Sequence, residues 1–136
     1  MFPNKSVAII NKDLEPGRAL NAVAHMSVAL GAEIGENDLL LDDYIDNNGF
    51  IYPKISRIPF IILRAKSSEI RKIYDLAKEH DIKHRAFLDT MIAGTFVQQI
   101  ERTAETNQEN LVFFGLNLFG DWSKVSELTK KLSLYK

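Results

Sequence analysis

The feature that most constrains the fold is a short apolar run near the start of the chain, Ser6-Val7-Ala8-Ile9-Ile10-Asn11. Its β-branched residues favour a strand, and the lack of apolar-polar alternation indicates burial on both faces of a sheet. A strand of this kind lies in the interior of a sheet, between two neighbouring strands. We therefore expect the run to form a central strand that helices cover from both sides.

The rest of the chain alternates strand and helix patterns, which is typical of an α/β sheet with helices on both faces. Turn residues follow the first strand, and apolar residues then recur at helical spacing until a glycine. The later predicted elements are a strand at Ile58–Arg64, a helix from a candidate cap at Ser67 to about His80, a strand at Lys83–Asp89, a partly helical region at Thr90–Asn110, a strand at Leu111–Leu118, a helix at Asp121–Lys131 and a tail at Leu132–Tyr135. The first helix is predicted at Arg18–Gly31.

Residues 33–57 break this alternation, and we interpret them as an insertion with a small hairpin inside a single domain spanning residues 1–136. Asn48-Gly49 is a hairpin signal because both residues tolerate the positive φ of a type I′ turn. The acidic residues around it suggest a calcium-binding loop. If Gly49 is taken as the glycine of such a loop, however, Tyr44 falls at the first acidic position and Ile55 at the position of the closing glutamate. A solvated turn is the better interpretation.

Composition excludes several classes of function. The chain has 136 residues, enough for one core, and no cysteine, which excludes disulfides and thiolate metal sites. His80 and His84 are separated by a predicted turn, so they should not bind one metal ion, and we predict no metal site. We also predict no cofactor. The first apolar run is too short for a membrane span or a signal peptide, which favours a cytoplasmic protein without a membrane partner. A net charge of −1 gives no basic footprint and disfavours nucleic acid.

Candidate site residues follow from the rule that ligands of such sheets bind outside the carboxyl ends of the strands. Asp13 follows the first strand and Asp89 ends the third. Arg18, Asn21 and His25 share one face of the first helix, at spacings of three and four residues. We assign Asp13, Arg18 and Asn21 to ligand binding, and His25 and Asp89 to proton transfer. The alternatives are a turn role for Asp13, a helix-entry role for Asp89 and a hydrogen-bonded helix histidine at position 25.

Together these segments resemble the domain-of-unknown-function 2000 family over nearly the whole chain. The residues that carry the resemblance are Asp13-Leu14, Gly17, Ala24-His25, Asp46-Asn47-Asn48-Gly49, the Ile58–Leu63 strand, Gly115-Leu116 and the Leu132–Tyr135 end. The family's scaffold resembles that of the type II peptidyl-tRNA hydrolases. This resemblance implies a three-layer α/β/α fold with a mixed, mainly parallel four-stranded sheet, and a homodimer.

The hydrolase motif matches the chain in part. Its helix entry, Gly-Lys-x-x-x-Gln-x-x-His, falls on Gly17, Arg18, Ala22 and His25, so that arginine replaces the lysine and alanine the glutamine. Its catalytic aspartate falls on Asp89. The resemblance therefore implies the fold and the place of a site rather than the hydrolase reaction.

Three functions remain open from the sequence. The first is a small cytosolic protein that binds a small anionic ligand in a crevice at the strand carboxyl ends, with hydrolase-like activity left open. The second is a peptidyl-tRNA hydrolase or RNA-binding relative. The third is a non-catalytic protein-interaction module. Apolar residues left over in Thr90–Asn110 add to the expectation of a homodimer.

Overall fold

The computed structural model describes residues 2–136. Its elements in chain order are β1 (Asn4–Asn11), α1 (Pro16–Ile34), α2 (Glu36–Leu39), β2 (Leu41–Ile45), β3 (Ile51–Ser56), β4 (Phe60–Ala65), α3 (Ser67–Glu79), β5 (Lys83–Leu88), α4 (Phe96–Ala104), β6 (Phe113–Asp121), α5 (Trp122–Thr129) and β7 (Ser133–Leu134). Single 3-10 turns occupy Asp89–Met91 and Gln108–Asn110.

The main sheet is mixed and has five strands in the order β5-β6-β1-β4-β7. Only β1 and β4 pair in parallel, whereas β6 runs antiparallel to both β1 and β5, and β7 runs antiparallel to β4. The prediction of a mainly parallel, four-stranded sheet is therefore wrong in both respects. The fifth strand is Ser133–Leu134 within the predicted tail, and two residues are too few to show a strand pattern in a sequence.

The first strand lies in the interior, as its apolar run predicts. Val7, Ala8 and Ile9 have no exposed surface, and β1 pairs with β4 on one side and β6 on the other. Successive side chains of a strand point to opposite faces, so Ile9 packs among residues of α3 and α5, while Ile10 packs against α1. One strand thus contributes to the core on both sides of the sheet.

Helix α1 is longer at both ends than the sequence indicates. It begins at Pro16, a residue suited to the first helical turn because its missing N–H would have no helical partner. Gly31 lies inside the helix rather than ending it, because Leu30 and Ile34 on either side are buried against the sheet. The helix ends at Gly35, whose φ of 84° is one that glycine adopts readily.

The start of α3 also differs from the prediction. Lys66 occupies the N-cap position, and its backbone N–H donates to the Glu69 carboxylate at 3.2 Å. Ser67 is the first helical residue, and its hydroxyl oxygen accepts a hydrogen bond from the backbone N–H of Phe113 at 2.9 Å. Ser67 therefore ties α3 to β6 instead of capping the helix.

Strands β2 and β3 form a separate antiparallel hairpin. Its turn is closed by a hydrogen bond from the Gly49 N–H to the Asp46 carbonyl oxygen at 3.1 Å. Gly49 has a φ of 85°, but Asn48 is not among the residues with positive φ. The turn is therefore not the type I′ turn that Asn-Gly suggests, and only the glycine adopts the left-handed conformation.

The carboxylate of Asp46 organises this hairpin turn, which makes the turn sensitive to acid. Hydrogen bonds from the backbone N–H of Phe50 and the hydroxyl of Tyr52 hold the pKa of Asp46 below its usual value. A lowered pKa in the folded state stabilises the turn above the unfolded-state pKa, and this stabilisation is lost as pH falls through the folded pKa. We expect the Phe50 amide shift to follow the Asp46 carboxyl in an NMR titration below about pH 4.

The variant Asp46→Asn provides the control for that titration. It should remove the acid-dependent change at Phe50 while leaving shifts in the main sheet unchanged. An Asp46 carboxyl that titrates at or above the usual aspartate value would contradict this account of the turn.

The core on the α3 side can be tested on a single helix. Ile70 is fully buried, whereas Leu76 on the same helix is 38% exposed. Ile70→Ala removes buried methyl groups and leaves a cavity, so we expect it to lower the free energy of unfolding by about 2–5 kcal/mol. Leu76→Ala should cost clearly less, because more than a third of Leu76 stays in water and its truncation opens to solvent instead of leaving a closed cavity. Chemical denaturation of both variants measures the difference, and equal losses would contradict the assigned packing.

Candidate functional site

The predicted residues of α1 lie on its solvent-exposed side. Arg18, Asn21 and His25 are all exposed, as is Asp13 in the turn after β1. That turn is shaped by Asn11, which sequence reasoning did not assign to the site. Its side-chain oxygen accepts from the Asp13 N–H at 2.9 Å, and its amide nitrogen donates to the Phe113 carbonyl at 3.0 Å. The buried amide therefore fixes where the chain leaves the sheet.

Asp89 is half-buried and interacts with the backbone of the segment before β6. Its carboxylate accepts from the N–H of Val112 at 3.1 Å, and its own N–H donates to the Val112 carbonyl at 3.0 Å. Within residues 2–136, no salt bridge joins Asp89 to Arg18. In the structure, Asp89 holds the carboxyl end of β5 against the segment that precedes β6.

A groove of about 590 Å³ lies between α1, β5 and α4. Its lining is mostly apolar, with Met26, Phe87 and Met91 among the residues that form it. Phe96 and Ile100 of α4 contribute a further wall and remain 73% and 56% exposed. Strand β5 runs parallel to β1 and β4, since both β5 and β1 are antiparallel to β6. The groove therefore reaches the carboxyl end of one of the three co-directional strands.

Helix α4 has no buried residue, so polar contacts at its two ends take the place of core packing. Thr95 caps the helix: its hydroxyl oxygen accepts from the Gln98 N–H at 3.2 Å, and its own N–H donates to the Gln98 side chain at 2.8 Å. Gly94 leaves room for this arrangement, because a Cβ at that position would lie 2.5 Å from the Gln98 side-chain oxygen. The cap thus depends on a glycine that looked like a break in the sequence.

The far end of α4 is anchored to the turn after β5. The guanidinium of Arg102 donates to the carbonyl oxygens of Thr90 and Ala93, each at 3.0 Å, and also to that of Ile92. The hydroxyls of Thr103 and Thr90 lie 2.7 Å apart. These contacts fix the polar side of α4 to the protein and leave its apolar side facing the groove.

Two polar groups stand on the groove wall. The ring of His25 stacks on Phe87, with centroids 5.5 Å apart and an angle of 11° between the planes. Arg85 forms a salt bridge with Glu33 at 2.7 Å, and both side chains are about two-fifths exposed. Of the five predicted site residues, only His25 lines the groove. An apolar trough with a guanidinium and an imidazole suits an organic molecule that carries an anionic or polar group.

A second concavity, of about 360 Å³, lies at the carboxyl ends of the parallel pair β1 and β4. Lys12, Arg64 and Lys131 line it, and all three side chains are exposed. It is the crevice that the strand-end rule indicates, but none of the five predicted site residues lines it. Its positive charge is suited to an anion. The groove beside β5 differs from it in having a mostly apolar lining as well as a guanidinium.

Two features are absent from residues 2–136. Three or more histidine, cysteine, aspartate or glutamate side chains nowhere come together in an arrangement that would hold a metal ion. None of the helices in this part of the chain has both the length and the apolar character to cross a membrane.

Fold and groove together define an α/β protein with a mixed sheet and an open apolar groove beside an edge strand. The chain belongs to the family described as protein of unknown function (DUF2000), whose model matches residues 4–136. A solved structure of a protein of unknown function from Agrobacterium tumefaciens strain C58 is 24% identical in sequence and has a TM-score of 0.85, with 100% of each chain covered. At this identity the likeness shows a shared fold. The chain matches none of the curated proteins with which it was compared.

Sequence reasoning missed three parts of the groove. Phe96 and Ile100 are four residues apart, which is a helical signal, but the polar residues that follow hid it. Arg85 lies within a predicted strand and was considered only as part of that strand. Phe87 has no signal of its own, since its role depends on the stacking of His25 from another element.

The anchoring of α4 predicts how its mobility responds to mutation. Arg102→Ala removes the guanidinium from three carbonyl groups, and hydrogen bonds to a charged group contribute about 1.5–3 kcal/mol. We expect local opening of α4 to rise roughly tenfold or more, measured as faster hydrogen exchange of peptides that cover residues 95–107. Glu101→Ala, at an exposed neighbour without such contacts, is the matched control. Equal exchange in the two variants would contradict the anchoring role.

Proposed function

We propose that the protein binds a small organic anion with an apolar body, in the groove between α1, β5 and α4. The observation that carries this proposal is the pairing of an apolar trough with the Arg85 guanidinium on its wall. The groove volume of about 590 Å³ lies within the roughly 300–1,000 Å³ of small-molecule sites. Burial of an apolar ligand body there would contribute about 25 cal/mol for each Å² removed from water.

Arg85 supports an anionic rather than a neutral ligand. It already holds a carboxylate, that of Glu33, at 2.7 Å on the protein surface. A ligand carboxylate or phosphate would present the same oxygens to the guanidinium, and a partly exposed salt bridge contributes only about 0–1 kcal/mol. The ligand head group therefore replaces or joins Glu33 at little cost.

We assign His25 the role of proton exchange with the ligand, since its ring lines the groove and lies against Phe87. Asp89 was predicted to take part in proton transfer together with His25. We propose instead that it is a positioning residue, which holds in place the end of β5 that carries Phe87. Asp13, Arg18 and Asn21 lie outside the groove lining, so a ligand would reach them only by extending along the exposed side of α1. This arrangement favours binding as the primary function and leaves catalysis to His25.

We also make proposals about the scaffold, the location and the oligomeric state of the protein. A scaffold related to type II peptidyl-tRNA hydrolases is supported by the mixed sheet and by the match at Gly17, His25 and Asp89. A cytoplasmic location is supported by the cysteine-free composition. We also propose that the protein forms a homodimer, which the scaffold analogy and its exposed apolar surface support.

The binding proposal can be tested with octanoate and octanol, which share an apolar body and differ in the charged group. We expect octanoate to shift the NMR signals of His25, Phe87 and Ile100, and to bind more tightly than octanol. Arg85→Gln should weaken octanoate binding about two- to fivefold and leave octanol binding nearly unchanged, because only the anion loses a charged partner and a partly exposed ion pair contributes up to about 1 kcal/mol. The shifts and their concentration dependence measure both affinities.

Arg64→Gln is the matched control, since it removes an exposed arginine that lines the other concavity. It should leave octanoate binding unchanged. If octanoate binding depends on Arg64 and not on Arg85, the anion site lies at the ends of β1 and β4, and the proposed groove function is wrong. If neither compound shifts groove signals at millimolar concentration, the proposal also fails.

A further inference from the structure

Exposed large apolar side chains are concentrated on the hairpin of β2 and β3. Six large side chains on it are between 56% and 68% exposed: Tyr44, Ile45, Phe50, Ile51, Tyr52 and Ile55. Neighbouring residues of a strand point to opposite faces, so Tyr44 and Ile45, and likewise Ile51 and Tyr52, place apolar groups on both sides. Neither face of the hairpin is covered by residues 2–136.

The hairpin contacts the segment that precedes it near its base. The Arg57 N–H donates to the Leu40 carbonyl at 3.0 Å, the Ser56 hydroxyl donates to the Leu39 carbonyl, and Lys54 pairs with Glu36. An isolated two-stranded hairpin is at best marginally stable in water. A hairpin with this many exposed apolar groups is therefore expected to pack against another surface.

The surface area of the chain is large for its mass. Its accessible area is 8694 Å², whereas a folded monomer of 15.4 kDa has about 7,200 Å² by the usual scaling of area with mass. The excess of about 1,500 Å² is more than the roughly 800 Å² that each partner buries in a standard stable interface. One copy of the chain thus carries enough surplus surface for a stable dimer.

The exposed surface continues from the hairpin onto the main sheet. Phe60, the first residue of β4, follows β3 after three residues and is 46% exposed. Phe60 also lines a concavity together with Ser56, the last residue of β3, so it lies beside the base of the hairpin. Exposed apolar groups gathered in one region mark interaction sites on soluble proteins.

We propose that the β2–β3 hairpin is a dimerisation arm that packs against the hairpin and the start of β4 of a second copy of this chain. In a two-fold dimer each patch meets its own equivalent, so a self-association surface must avoid facing like charges. The turn and the first half of β3 meet this requirement, because no charged residue occurs between Asp46 and Lys54, and Asp42 and Asp43 of β2 lie outside that stretch. The proposal rests on the homodimer named under the proposed function and gives its interface.

The sequence of the arm also favours a closed dimer over continued strand addition. Pro53 lies within β3 and has no backbone N–H, so it removes one of the donors that a further strand would need. Charged Asp42 and Asp43 on β2 discourage pairing along the other edge. The two arms are therefore expected to meet through their side-chain faces.

The first test measures mass by light scattering after size exclusion, with loading concentrations up to about 200 μM. A dimer has twice the 15.4 kDa of one chain. We expect the unmodified chain to be a dimer and the double variant Phe50→Asp, Ile55→Asp to be a monomer with unchanged far-ultraviolet circular dichroism. Leu20→Asp is the matched control, since Leu20 is 72% exposed on α1, and it should remain a dimer.

The second test uses the absence of cysteine, which allows one introduced thiol to report a single contact. Ile51→Cys should form a disulfide-linked dimer under mild oxidation, while Val28→Cys, at a site on α1 that is 75% exposed against 61% for Ile51, should stay uncrosslinked. This variant keeps a small apolar side chain in the arm, so it remains informative even where the aspartate variants fail to fold.

The outcomes separate the arm from the other proposals. A monomer at 200 μM without Ile51→Cys crosslinks overturns both the homodimer and the arm. A dimer that survives Phe50→Asp, Ile55→Asp overturns the arm and leaves the homodimer. Octanoate binding that is retained in the monomeric variant shows that the groove function does not depend on the arm, so the two proposals fail separately.

Discussion

Burial of the first strand on both faces is the constraint on which the remaining structure depends. Because β1 has fully buried residues pointing to each side, the sheet needs one apolar layer from α1 and another from α3 and α5. The same strand also holds the sheet together laterally, since it joins the parallel partner β4 to the antiparallel partner β6. The positions of α1 and β5, and so of the groove between them, follow from this arrangement.

The groove shows how a rigid core can support an incompletely covered surface. Phe87 belongs to the buried cluster beneath α1, yet its ring is also the surface on which exposed His25 stacks. Helix α4 contributes no buried residue; hydrogen bonds from Arg102 hold it to the turn after β5, and Thr95 caps its own first turn. Two walls of the groove are therefore set by packing, and the third is set by polar anchors.

Much of the fold was predictable because its signals are local. The β-branched run gives β1 directly, and Asn48-Gly49 correctly marks the hairpin, although Gly49 alone takes the positive φ. The errors arose where structure depends on distant partners. Strand β7 exists only because β4 has a free edge for it, and Gly31 stays helical only because its neighbours are buried against the sheet.

The site was less predictable for the same physical reason. His25 was identified from its chemistry and its helix face, and the structure places it on the groove wall. Arg85 and Phe87 lie on a strand whose sequence shows nothing to distinguish them, and their role appears only when α1 and α4 are placed beside β5. The extended arm of β2 and β3 has a clear turn signal, but its exposed faces are a property of the whole fold.

The most direct test of the binding account is a measurement of proximity between ligand and protein. Isotope-filtered nuclear Overhauser spectra of the protein with octanoate would report which side chains lie within about 5 Å of its alkyl protons. The account predicts contacts to the rings of His25 and Phe87 and to the Ile100 methyl groups. Contacts that appear instead at Lys12 and Lys131, or none at all at saturating ligand, would contradict it.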